Sequence, residues 1–140
     1  MSKIAVVYWS GTGNTAAMAQ AVSEGAQTGG AQVTTLTSAQ FSADMMDQFD
    51  AVAFGCPSMG REVLEEREFQ PMFNACLPKL RDKRIALFGS FGWGTGDWMF
   101  DWEGDCNCAG AKRVCTSVIC CGYPDERAVA ACRRLGAALV

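Results

Sequence analysis

The sequence predicts an α/β fold, a five-stranded parallel sheet covered by helices on both faces. Two observations predict it. Apolar, β-branched runs alternate along the chain with stripes at helical spacing, and the residues just after Trp9, Cys56 and Gly89 open into glycine-containing loops. The chain has 140 residues. That fits one domain, residues 1–140, able to build a core without cross-links.

Each element has its own signal. Lys3–Trp9 is apolar and β-branched, as a strand buried on both faces should be. A helix follows the first glycine-rich turn, with Ala16, Met18, Ala19, Val22 and Ala26 near helical spacing, and Gly29-Gly30 stops it. Gln32–Leu36 reads as a second strand and Ala51–Cys56 as a third, ended by Pro57. Phe69–Leu80 carries a stripe at spacings of three and four, which predicts a helix. Arg84–Gly89 is the fourth strand, and Asp97–Cys108 is a helix with Trp98, Trp102 and Cys106 on one face. Arg113–Cys121 reads as the fifth strand. Asp125–Leu139 is the last helix, with Ala128, Val129, Cys132, Leu135 and Leu139 turned inward.

Composition narrows the chemistry. There is no His, which excludes His metal ligands, His-based triads and histidine pH switches. The net charge of −3 argues against a basic nucleic-acid surface. The run Ile4–Trp9 is too short to span a membrane and has no cleavage pattern behind it, so a cytoplasmic, reducing setting is expected. Eight Cys remain to be explained. They could be a disulfide framework, a metal or redox site, or small apolar filler. The absence of any CxxC disfavours the metal reading, and filler is the expectation.

In parallel sheets, ligands sit beyond the carboxyl ends of the strands. Ser10-Gly11-Thr12-Gly13-Asn14-Thr15 combines two glycines, three hydroxyls and a helix start, an anion site made of dipoles. No Lys or Arg occurs between Lys3 and Arg61, so a phosphate there would meet neutral donors only. A nucleotide-binding Walker loop would need a lysine that is absent. A dinucleotide fingerprint is nominally present as Gly11-x-Gly13-x-x-Ala16, but the acid it expects at the end of the second strand is missing. A plain tight turn would leave the hydroxyls unexplained. The second loop is Pro57-Ser58-Met59-Gly60-Arg61-Glu62, and the third runs from Gly89 to Trp98 with Ser90, Phe91, Gly92, Trp93 and Gly94. A Trp in so glycine-rich a loop is well placed to stack on a flat ligand, with the Met59 thioether on its other face, although local packing is the commoner use of such a residue.

The segments SerGlyThrGlyAsnThr, GlyCysProSerMetGlyArgGlu and GlySerPheGlyTrpGly, in this order and spacing, resemble the short-chain flavodoxins of anaerobic bacteria. The resemblance covers essentially the whole chain. It implies a flavodoxin-like three-layer sandwich with strand order 2-1-3-4-5, non-covalent FMN, and a low-potential shuttle of single electrons through semiquinone and hydroquinone states, without substrate turnover of its own. Carried over by position, Ser10, Gly11, Thr12, Gly13, Asn14, Thr15 and Ser90 match the phosphate site. Trp93 matches the aromatic stacked on the isoalloxazine and Met59 the residue on its other face, with Pro57, Ser58 and Phe91 in the same loops. Glu62 matches the acceptor of the flavin N3–H. The Gly60–Arg61 peptide matches the one that turns its carbonyl to N5, and the backbone of Gly92, Trp93 and Gly94 matches the contacts to the pyrimidine edge. A quinone reductase-like enzyme on the same fold is the alternative, but 140 residues leave little chain for a substrate pocket.

Three features depart from the family pattern. Arg61 stands where Asp, Asn, Gly or Ser is expected. Either it points to solvent and pairs with Glu62, Glu65 or Glu66, the simpler reading, or its charge lies near the flavin. The charge is also modest, yet acids gather beside the loops at Glu62, Glu65, Glu66 and Glu68 and at Asp97, Asp101, Glu103 and Asp105. An acidic rim there would steer basic redox partners to a monomeric carrier. Finally, Cys56 and Cys132 are expected in the core, whereas Cys106, Cys108, Cys115, Cys120 and Cys121 have no expected role, and Cys120 and Cys121 must face opposite ways if both are in strand.

Overall fold

The computed structural model describes residues 1–140. Its strands are β1 (Lys3–Tyr8), β2 (Gln32–Thr37), β3 (Ala51–Gly55), β4 (Arg84–Phe91), β5 (Lys112–Arg113) and β6 (Val118–Cys121). Its helices are α1 (Asn14–Thr28), α2 (Phe69–Cys76), α3 (Asp97–Cys108) and α4 (Glu126–Ala138). All strand pairs are parallel, in the order β2-β1-β3-β4-β5, with β6 also on β4. β3 is buried along its whole length, which is why it reads as an unbroken apolar run rather than an alternating one.

Two cores flank the sheet. On one face Val7, Val52, Phe54 and Leu87 meet α2 and α3. Here Phe54 packs edge-on to Phe73 at 5.2 Å, and Phe69 edge-on to Trp102 at 5.4 Å, the geometry that aromatic quadrupoles favour. Trp98, Trp102 and Cys106, four residues apart, all face this core. On the other face Ile4, Val6, Ala53 and Phe88 meet α1 and α4.

The structure corrects two boundaries and fills a stretch the sequence left unassigned. The expected fifth strand, 113–121, is two short strands at one sheet position. Between the pairs Arg113↔Ile85 and Val118↔Phe88, β4 advances three residues (85 to 88) while the edge advances five (113 to 118). The two extra residues form a bulge, a common way to blunt a sheet edge. Ser117 in the bulge and Arg113 just before it both donate to the Glu103 carboxylate, which ties this edge to α3. The expected helix over 69–80 ends at Cys76 and tightens into a 3-10 turn, Leu77–Lys79, with Pro78 at its start. Two further 3-10 turns, Ser38–Gln40 and Ala43–Gln48, fill the stretch before β3 and bury Met46, with Phe41 and Phe49 on either side. Their apolar residues follow neither helical nor strand periodicity.

Candidate functional site

The three loops converge at the carboxyl ends of β1, β3 and β4. The first is set by Ser10, whose Oγ accepts from the N–H groups of Gly13 (3.1 Å) and Ala16 (3.2 Å) and so turns the chain into α1. Gly13 takes φ +96°, a left-handed conformation that glycine adopts without strain. The N–H groups of Gly11, Thr12, Asn14 and Thr15 meet no protein acceptor. They form a cluster of neutral donors at a helix N-terminus. Thr12 is exposed, while the Thr15 and Ser90 hydroxyls are buried and bonded to each other at 2.8 Å.

The second loop is a tight hairpin. Met59 and Val63 exchange backbone hydrogen bonds of 2.8 and 3.1 Å, leaving Gly60, Arg61 and Glu62 as the turn. The left-handed residues are Gly60 (φ +45°) and Glu62 (φ +57°), not Arg61. Arg61 is exposed and forms none of the four ion pairs in the molecule, so its expected pairing with Glu62, Glu65 or Glu66 does not occur. Two of those acids are held elsewhere. Glu62 Oε1 accepts from the N–H groups of Thr95 (3.1 Å), Gly96 (3.0 Å) and Asp97 (3.2 Å), capping α3 and tying the second loop to the third. Its unfavourable φ is offset by these three bonds. The close approach requires Gly94, since a Cβ there would lie 2.5 Å from Glu62 Oε1. Glu65 is buried and caps α2, with Oε1 accepting from Glu68 and Phe69 and Oε2 from Arg67.

Glu65 carries a pH consequence. Burial works to raise its carboxyl pKa, but the N–H donors of Phe69, Glu68 and Arg67, with the Arg67 charge, hold it below the ordinary 4.5. A depressed folded-state pKa stabilises the fold above the unfolded value and loses that contribution as pH falls through the folded one. Glu65→Gln is therefore expected to lower stability at pH 7 by about 1–2 kcal/mol. In urea unfolding, its deficit against the parent protein shrinks as pH drops below 4.5. A deficit independent of pH would contradict this.

The third loop carries the most exposed aromatic of the site. Trp93 is 64 % exposed and Met59 37 %. Ser58 N–H donates to Ser90 O at 2.9 Å, a second tie between their loops. Phe91 turns inward, its ring 5.5 Å from that of Trp98. Pro57 and Ser58 are half-buried at the end of β3, and Gly92 is exposed beside Trp93. Sequence reasoning missed one contributor. Trp9 covers Gly11 so closely that a Cβ there would sit 3.0 Å from its ring, and its indole N–H donates to Glu68 at 3.2 Å. With Ser10 and Gly13 it lines a cavity of about 340 Å³ beside the first loop. A Trp directly before a glycine-rich turn was the available signal.

The donors and surfaces fit FMN. Unpaired N–H groups at a helix start suit a phosphate monoester, and two exposed polarizable side chains on neighbouring loops suit a planar ring system. The Flavodoxin family model matches residues 6–136. The chain belongs to the flavodoxin family. Members of the family bind FMN and carry electrons without turning over a substrate of their own, and a quinone reductase reading is not favoured. Among the relatives of this flavodoxin is that of Clostridium beijerinckii, 43 % identical over 121 residues, which cover 86 % of this chain and 88 % of the relative. The flavodoxin of Megasphaera elsdenii is 38 % identical over 135 residues, 96 % of each chain. The solution structure of its two-electron reduced form superposes with a TM-score of 0.90 over 97 % of both chains. Oxidised flavodoxin 1 from Bacillus cereus, 21 % identical, shares the fold at a TM-score of 0.86, covering 99 % of this chain and 97 % of that one.

All eight cysteines are free thiols. Cys56, Cys76, Cys106 and Cys132 are fully buried. Burial pushes the Cys132 thiol up to about 12, and that of Cys106 to about 12. These four are small apolar core residues, which gives Cys106 a role that its sequence context did not. Cys120 turns inward toward Met18 and Cys121 outward, on opposite faces of β6. No three His, Cys, Asp or Glu side chains are grouped to hold a metal ion, and no helix is long and apolar enough to cross a membrane.

Proposed function

We propose that residues 1–140 form a single monomeric domain in the cytoplasm and bind FMN across the three loops. The phosphate would lie on the free N–H groups of Gly11, Thr12, Asn14 and Thr15 and the hydroxyls of that loop, with Ser10 and Gly13 shaping the turn and Ser90 behind it. The flavin ring lies between Met59 and Trp93, and Pro57, Ser58 and Phe91 hold those loops in place. The backbone of Gly92, Trp93 and Gly94 binds the pyrimidine edge. Glu62 offers that edge its second carboxylate oxygen, because Oε1 is committed to α3. The Gly60–Arg61 carbonyl would accept a hydrogen bond from an N5–H, and Gly60 lowers the backbone cost of turning it there. When bound, FMN supplies one-electron chemistry. The protein supplies hydrogen bonds, charge and burial. The observation that carries this reading is the pairing of exposed Met59 and Trp93 beside a phosphate-suited loop without a cation. Titration of the apoprotein with FMN and with riboflavin tests it. FMN is expected to bind at one site and far more tightly, since only it engages the first loop. Equal affinities would contradict the reading.

Arg61 tunes this flavin. A positive charge in the turn favours the more negative reduced state, by on the order of 1 kcal/mol, or roughly 40 mV for one electron. Arg61→Asp is expected to lower the second one-electron potential by at least that much in an anaerobic potentiometric titration. No change, or a rise, would contradict this role.

The docking rim is narrower than the sequence implies. Glu62 and Glu65 serve as caps and Glu103 pairs with Arg113, which leaves Glu66, Glu68, Asp97, Asp101 and Asp105 exposed. These acids steer a basic redox partner toward the flavin edge. Electron transfer to such a partner is expected to slow as salt rises, read as a stopped-flow rate against ionic strength. A rate independent of salt would remove the rim from the account.

A further inference from the structure

A cleft of about 770 Å³ lies between β6, with its bulge, and α4, on the strand that pairs with the outer side of β4. No residue of the three loops lines it. It exists because the facing side chains are too short to meet. Ala128 and Ala131 project from α4, Cys115 and Cys120 from the edge strand, and the bulge carries residues 115–117 away from the ladder. Its size is that of a small-molecule site, roughly 300–1,000 Å³, and its floor is largely apolar. Burial pushes the Cys115 and Cys120 thiols up, which keeps the strand wall uncharged, and alanines face it from α4.

Charge lies only at the rim. Arg127 and Arg134 stand two turns apart on α4, about 10 Å along the helix. Both are exposed, and neither is in an ion pair. Asp125, the N-cap of α4, lines the same end as Arg127 and balances it. Arg134 at the far end is uncompensated.

We propose that this cleft binds a small organic anion with an extended apolar body, an aromatic or acyl carboxylate or sulfonate. The charged group sits at Arg134 and the body lies along Ala131, Val118 and Cys120. The site gives a use to the cysteines of the edge strand, which the electron-carrier role does not employ. No residue of the flavin loops lines it, so its failure would leave the FMN reading untouched.

The test uses the FMN-loaded protein and 1-anilinonaphthalene-8-sulfonate as probe, with flavin absorbance as the check on folding. One saturable site is expected. Arg134→Glu and Ala131→Leu, which reverses the charge and fills the floor respectively, should each weaken binding about tenfold, the effect of losing one good contact. The neutral analogue N-phenyl-1-naphthylamine should respond to Ala131→Leu but not to Arg134→Glu. Arg134 is exposed, so its variant decides the matter even if Ala131→Leu does not fold. The proposal is overturned by the absence of saturable binding, by equal affinities in parent and Arg134→Glu, or by a dimer in sedimentation that Ala131→Leu disrupts, which would assign the cleft to a second copy.

Discussion

Trp93→Ala is expected to weaken FMN binding roughly 10- to 100-fold while leaving the apoprotein as stable as its parent. The two halves of this result come from one fact. Trp93 is 64 % exposed and takes part in no aromatic contact within the fold. Its removal opens no cavity, and surface substitutions of that kind stay within about 0.5 kcal/mol. Stacking of a flat heterocycle on an aromatic face is worth about 1–3 kcal/mol, or roughly 5- to 150-fold, which brackets the stated range of affinity. Flavin fluorescence titration gives the dissociation constant, and urea unfolding of the apoprotein gives the stability. If affinity holds while stability drops, Trp93 is a packing residue and the ring platform is misassigned.

Gly136→Ala is expected to destabilise the fold by about 3 kcal/mol, the upper end of the usual overpacking cost. α1 and α4 cross at two glycines. A Cβ on Gly136 would lie 2.0 Å from the Val22 carbonyl oxygen, and a Cβ on Gly25 would lie 1.9 Å from that of Arg133. Both obstacles are backbone, so no side chain can rotate aside. The helices must separate, and the contacts around Met18, Val22, Cys132 and Leu135 loosen with them. The same separation relieves both clashes. The double variant Gly25→Ala/Gly136→Ala should therefore lose less than the sum of the two single losses. Additive losses in urea unfolding would mean that each glycine acts through its own neighbourhood.

The elements legible in the sequence were those whose burial follows a clean period. β1 and β3 read as unbroken apolar runs because both their faces are covered, and α3 read correctly because Trp98, Trp102 and Cys106 share one face. The edge was not legible. Val114 to Ser117 has strand-like composition, yet residues 115–117 leave the ladder, where Ser117 meets Glu103, a partner on another element. The 38–48 stretch failed for a related reason, since Phe41, Met46 and Phe49 reach the core from 3-10 turns and loop with no fixed period. At the site, the loops and their glycines were visible as patterns. The uses of the acids were not. Glu65 read as surface charge and Glu62 as a flavin contact in an acidic rim, and both are helix caps, with N–H donors 2–4 residues from Glu65 and 33–35 residues from Glu62. That distinction also bears on the electrostatics, because it commits the Glu62 and Glu65 carboxylates to backbone N–H groups and leaves Arg61 without an ion-pair partner.

The most direct test of the central claim is an anaerobic potentiometric titration of the FMN-loaded protein followed by absorbance. A single-electron carrier takes up its two electrons in separate steps, with an intermediate spectrum between the oxidised and fully reduced forms, and shows no turnover of quinones with NAD(P)H. That is the result expected here. A single two-electron step accompanied by rapid quinone turnover would contradict the account.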